Sequence, residues 1–208
     1  MQTISPYVNY ENALKALDNG GRFYNLFTKA EDGVITAAEI GKTAGVFSNK
    51  QQNILFLEAA LLKLKQSDKI NVLAKLDDKL KVDYNTFKPQ YLRPSEVNEK
   101  GKIASGLIAT GVPKLIDSKT DFNGFIIIPI MTGKVMTMTM IPIYENYDVY
   151  ELRDEKTAEG FIIAHSKSKN KLLEEKVTIA GIIKELKTSK KENCKTKKFL
   201  EITYIIKD

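Results

Sequence analysis

The chain has a single cysteine and a single histidine among its 208 residues. One thiol, Cys194, excludes an internal disulfide and fits a reducing compartment. One Cys and one His cannot by themselves furnish a structural zinc site, which takes four ligands of these types. Any Ser–His–Asp or Cys–His nucleophilic arrangement would have to use His165. That residue stands in FIIAHSKS, at the end of an expected strand, where a polar edge position explains it. Cys194 stands in KKENCKTKK, whose lysines favour a thiolate, but no base lies near it in sequence. Long apolar runs are missing too. The longest near-continuous one, Phe125 to Met131, is broken by Pro129 and falls far short of the roughly 20 residues of a membrane span. The first twenty residues carry no basic leader and no apolar run, so no secretory signal is expected. A cytoplasmic protein that does not enter membranes is the expectation.

Other chemistry is also thinly represented. The glycines of GKIASGLIATG match neither the dinucleotide fingerprint nor the P-loop. The acidic pairs Asp77-Asp78, Asp154-Glu155 and Glu174-Glu175 are each followed by lysine. Adjacent residues on a helix or strand point apart, so these pairs read as solvated charges. The composition points to no enzyme and no cofactor.

What remains is architecture. Hydrophobic residues make up 43% and charged residues 28%, ordinary for a globular chain. Residues 10 to about 90 carry helical periodicity and caps. The clearest helix spans 48–66, SNKQQNILFLEAALLKLKQ, with Ser48 as N-cap. Ile54, Leu57, Leu61 and Leu64 form its apolar face, widened by Leu55, Ala59 and Leu62. That width predicts a central helix packed on two sides. KINVLAKLDDKL follows as the next helix, capped by Ser67 or Asp68. Shorter helices are expected at 10–18 and 21–29. Between Pro89 and residue 123 the spacing predicts one further helix, from Ser95 to Gly111.

After Asp121 the period changes to two. GFIIIPIM and KVMTMTMIPI flank a tight turn at Thr132-Gly133. Met136, Met138 and Met140 alternate with Thr137 and Thr139, as on a strand with one apolar face, and read as adaptable core filler. YDVYELR, EGFIIAHS, EKVTIAGIIKEL and KKFLEITYII supply four more strands. Six strands with few helical patterns between them predict an antiparallel barrel or sandwich.

Residues 23–40, FYNLFTKAEDGVITAAEI, place Thr28, Ala30, Asp32, Gly33, Ile35, Thr36 and Glu39 at positions one, three, five, six, eight, nine and twelve of a twelve-residue loop. The stretch resembles the EF-hand family, and the resemblance implies a calcium loop with Asp32 and Glu39 as its metal ligands. A second such loop is suggested by KVDYNTF at 81–87, with Val82 at position eight and Asp83 at position nine. Leu80 stands there in place of glycine and Thr86 in place of the bidentate Glu. In the first loop Ala30 offers no side-chain oxygen and Thr28 only a hydroxyl. A hard dication needs six or more oxygens, so a metal-free helix–loop–helix is expected. Thr36 and Glu39 also satisfy a capping box, and Asp32-Gly33 supplies a turn.

Charge is concentrated in one place. Residues 166–198 hold eleven lysines against four acids, a net +7, whereas the whole chain is +6. Seven of them, Lys184, Lys187, Lys190, Lys191, Lys195, Lys197 and Lys198, fall in the expected hairpin between the last two strands. Phosphate contact from such a tip would make nucleic-acid binding salt dependent. The tip contains no arginine and no aromatic residue for base stacking.

The sequence therefore predicts an α+β protein: an EF-hand-like helical domain at 1–90, a linking segment at 91–123 and an antiparallel β domain at 124–208. Its expected role is that of a non-enzymatic binding or adaptor protein with a protein or peptide partner in an apolar helical groove. The alternatives are nucleic-acid binding through the basic hairpin and weak calcium binding through Asp32 and Glu39.

Overall fold

The computed structural model describes residues 2–20, 29–46, 49–116, 124–132, 135–142, 147–157, 159–167, 171–188 and 197–207. Residues 124–132, 135–142, 186–188 and 197 are described by their backbone alone. The protein is α+β and divides into two compact units, one of residues 2–90 with 204–208, the other of 91–203.

The helical unit starts with β1 (Gln2–Ile4) and α1 (Tyr10–Leu17). Asn9 caps α1, its side chain accepting from the Asn12 amide at 2.8 Å. α2 (Ala37–Ala44) opens on the capping box of Thr36 and Glu39 and closes at Gly45, whose φ of +68° is the left-handed conformation of a helix C-cap. α3 (Lys50–Ala60) is buried at every residue from Asn53 to Ala60. A helix buried on all sides is the central one of its unit, as its wide apolar face implies. It ends at Ala60 rather than 66 and its N-cap is Asn49; Ser48 and residues 21–28 of the helix expected at 21–29 lie outside the described residues.

The helix expected at 69–80 is two helices, α4 (Gln66–Ala74) and α5 (Asp78–Phe87). Residues 75–77 between them are bridged to Ile35. The Ile35 amide donates to the Lys75 carbonyl at 2.8 Å, and the Asp77 amide donates to the Ile35 carbonyl at 2.9 Å. Asp77 then caps α5 through the Leu80 amide at 2.6 Å. Residues 81–87 consequently sit inside α5 and form no second loop. There Val82 is 64% exposed, and Asp83 pairs with Lys50 of α3 at 2.9 Å.

The β unit holds α6 (Pro94–Lys100), β3 (Gly106–Leu115), β4 (Gly124–Thr132), β5 (Val135–Pro142), β6 (Tyr147–Arg153), β7 (Gly160–Ser166), β8 (Val177–Thr188) and most of β9 (Lys197–Ile206); the two-residue strand β2 (Gln90–Tyr91) lies at its boundary. The segment expected to link two domains is thus a helix and a full strand of this unit. The helix predicted over 95–111 stops at Lys100. A Cβ on Gly111 would lie 2.5 Å from the Arg153 carbonyl oxygen, so this glycine serves a close strand approach rather than a helix stop. The last residues of β9 fall in the helical unit, where Tyr204 pairs in parallel with Gln2 and meets Phe56 of α3 edge-on at 6.0 Å.

All six strands read from period two are present. β4 and β5 form the predicted hairpin, with Thr132 opposite Val135; Gly133 of its turn lies outside the described residues. β3 pairs antiparallel with β6 and β8, β6 pairs antiparallel with β7, and β7 pairs parallel with β9. β8 also pairs with β9. The pairing of β3, β6, β7, β9 and β8 therefore runs in a closed cycle. Its first four strands in chain order follow the spatial order of a Greek key, the fourth lying beside the first. Gly181 makes the closing contact possible, since a Cβ there would stand 2.2 Å from the Glu201 carbonyl oxygen. The apolar core of the unit comes from these strands: Leu107, Leu152, Ile163, Ile179 and Leu200 are all fully buried.

Candidate functional site

The loop that contains Asp32 and Gly33 is held together by carboxylates that already have hydrogen-bond partners. Glu39 is 0% exposed. One of its oxygens accepts from the Gly20 amide at 2.7 Å. The other accepts from the Thr36 amide at 2.8 Å and the Thr36 hydroxyl at 2.9 Å. Asp18, 2% exposed, accepts from the Asp32 amide at 3.3 Å and the Gly33 amide at 2.7 Å. Asp32 in turn accepts from the Val34 amide at 3.0 Å. Gly33 takes a φ of +82°, which glycine adopts without strain. Asp18, which lies outside the twelve-residue spacing, thus ties the loop to the end of α1. A cleft of about 420 Å³ opens here, lined in part by Tyr10, Leu14, Asp18, Glu31 and Gly33.

For Glu39 to become a bidentate metal ligand it would give up three hydrogen bonds, and losing a buried partner costs roughly 1–3 kcal/mol per group. Among the described residues no cluster of three His, Cys, Asp or Glu side chains is placed to hold a metal ion; Thr28 lies outside them. The expected outcome of a thermal melt is therefore a midpoint that calcium and then a chelator leave within about one degree of each other, since a ligand of the native state alone would raise it.

His165 does not sit at a polar edge. It is 1% exposed, stacked on Tyr150 at 5.7 Å and 21°, with Nδ1 2.8 Å from the Ser166 carbonyl oxygen. General acid–base work needs a ring nitrogen within reach of substrate, and this ring is packed into the β unit instead. Cys194 lies outside the described residues.

Of the seven lysines, the side chains of Lys184 and Lys198 are described. Lys184 pairs with Glu201 at 2.5 Å, and Glu201 also accepts from the Tyr147 hydroxyl at 2.6 Å. Burial first, and then this bond to the Glu201 carboxylate, raise the Tyr147 pKa. Lys198 donates to the carbonyls of Asn98 at 3.0 Å and Gly101 at 2.7 Å. A cation at the carbonyl end of α6 meets the negative pole of the helix. Both lysines thus have partners within the β unit, Lys184 from β8 and Lys198 from β9. Lys187 and Lys197 are placed by their backbone at the two ends of the basic connection. Lys190, Lys191 and Lys195 lie outside the described residues. The register sets Gly124 opposite Thr188 and Phe125 opposite Lys187, so the base of the β4–β5 hairpin adjoins the start of the basic connection. No helix among the described residues is long and apolar enough to cross a membrane. Comparison with protein-family models and with curated proteins found no match for this chain.

Proposed function

We propose that this chain is a non-enzymatic binding protein whose β unit is a small closed barrel of the oligonucleotide-binding type, and that its ligand is a single-stranded nucleic acid. The closed five-strand cycle with Greek-key order carries this reading. Folds of that type engage oligonucleotides with the connections after their first and fourth strands. In this chain the first such connection contains the β4–β5 hairpin and the fourth is the lysine-rich segment. The warrant is likeness of fold, joined to a local excess of positive charge that suits phosphate. Lys187, Lys190, Lys191, Lys195 and Lys197 are assigned the phosphate contacts, and Lys184 and Lys198 are not. The peptide-groove reading rests on likeness to helix–loop–helix pairs alone, whereas the strand order and the charge both favour nucleic acid, so nucleic acid is the reading put first.

The test is anisotropy of a labelled single-stranded oligonucleotide at several salt concentrations. Five phosphate contacts give a slope of log affinity against log salt of about −3.5. Serine at the five assigned lysines removes binding, whereas serine at Lys184 or Lys198 lowers stability and leaves the slope nearly unchanged. Absence of binding at low salt refutes the proposal.

A further inference from the structure

We infer that β5 is a self-pairing edge, through which two copies of this chain join strand to strand. Among the described residues β5 pairs with β4 alone and stands at the end of the strand order. Its other edge therefore presents backbone N–H and C=O groups with no strand partner there, which is the template that an added strand uses.

The occupant follows from the sequence of the strand. Residues 135–141 read Val-Met-Thr-Met-Thr-Met-Ile, which is nearly the same in both directions about Met138. A two-fold axis through Met138 in an antiparallel pair sets Val135 against Ile141, Met136 against Met140, Thr137 against Thr139 and Met138 against its own copy. Every cross-strand pair then joins like residue types: methionine with methionine, threonine with threonine, β-branched with β-branched. Aromatic, β-branched and Thr–Thr pairs directly opposite stabilise a ladder, and like charges opposite weaken it. Strand β5 has no charged residue at all, so self-pairing brings no repulsion within it. A contact of this kind is isologous and closes at two copies. Lys134 before the strand and Pro142 at its end limit the ladder to these seven positions. So short an interface is smaller than those of permanent complexes, and the dimer is expected to be in exchange with monomer at micromolar concentrations or above.

The experiment is sedimentation of the full chain over a wide concentration range, alongside M138K and M138E. The wild type is expected to show a reversible dimer. Each variant is expected to lose it, because two like charges face each other across the axis, and the equimolar mixture is expected to regain it as a mixed pair. A second measurement does not depend on how well those variants fold. M138C in a C194S background is expected to form a disulfide-linked dimer under mild oxidation, since Cα separations of about 4.5–5.5 Å across an antiparallel pair lie within disulfide range. A wild type that stays monomeric at the highest concentration overturns the inference. So does a folded M138K that dimerises as well as the wild type.

Discussion

Gly181→Ala is expected to cost the β unit about 3 kcal/mol or more, the upper range for overpacking a well-packed site. The added methyl would lie 2.2 Å from the Glu201 carbonyl oxygen and 2.9 Å from its carbonyl carbon. Neither is the end of a flexible side chain, so the relief has to come from separating β8 from β9. That separation would open the closed cycle and pull Glu201 away from Lys184. Gly160→Ala is the matched control. The three atoms nearest its new methyl all belong to the Glu151 side chain, which can shift where backbone cannot, at the expense of its exposed pair with Arg153, so the expected cost is about 1 kcal/mol. Equilibrium unfolding in denaturant reads both. Equal midpoints for the two variants would mean that β8 and β9 are not in contact as described.

The second large effect is expected at Glu58 in the helical unit. Its side chain on α3 is fully buried and pairs with Lys69 of α4 at 2.6 Å. It also accepts a short hydrogen bond from the Tyr84 hydroxyl of α5. One carboxylate thereby joins three helices, and Tyr84 itself is 9% exposed. Removing one member of a buried pair costs about 3–5 kcal/mol, whereas replacing all members by apolar residues of similar size is often neutral. Glu58→Ala is therefore expected to lower stability by roughly 3 kcal/mol, because Lys69 keeps some access to water. The triple replacement E58L/K69M/Y84F is expected to recover most of it. Burial first, and then the Glu58 contact, raise the Tyr84 pKa above its ordinary value of 10.0. The stability linked to that shift is complete below pH 10 and falls as pH rises toward the folded-state value, because the unfolded chain ionises first. Glu58→Ala should flatten this alkaline loss, which a series of melts from pH 8 upward would reveal.

Much of this architecture is legible in the residues, and the failures have local physical causes. Alternation with period two marked β4 to β9, because each of these strands buries one face or pairs its way into a sheet. The breadth of the apolar face marked α3 as central. Thr36 and Glu39 announced a capping box that the structure contains. β3 escaped because Gly106, Gly111 and Pro113 resemble helix punctuation. In the fold Gly111 admits the Arg153 backbone. The break between α4 and α5 escaped because no proline or glycine marks it; a tertiary bridge to Ile35 overrides local helix propensity. KVDYNTF resembles the end of a calcium loop because its spacing of apolar and acidic residues also suits α5, where Val82 is exposed and Asp83 and Tyr84 are buried. Nothing local could announce the parallel pairing of β7 with β9, which sets Ile163 opposite Leu200. At the candidate site, spacing alone made all seven lysines equivalent. The structure adds partners for Lys184 and Lys198, which are Glu201 and the carbonyls of Asn98 and Gly101 at the end of α6.

The measurement closest to the central claim is the oligonucleotide titration, carried out on the wild type and on the chain with serine at Lys187, Lys190, Lys191, Lys195 and Lys197. Salt-dependent binding by the wild type and none by the variant is the expected result, with matching thermal melts. Binding that survives all five replacements, or a wild type that binds nothing at low salt, would contradict it.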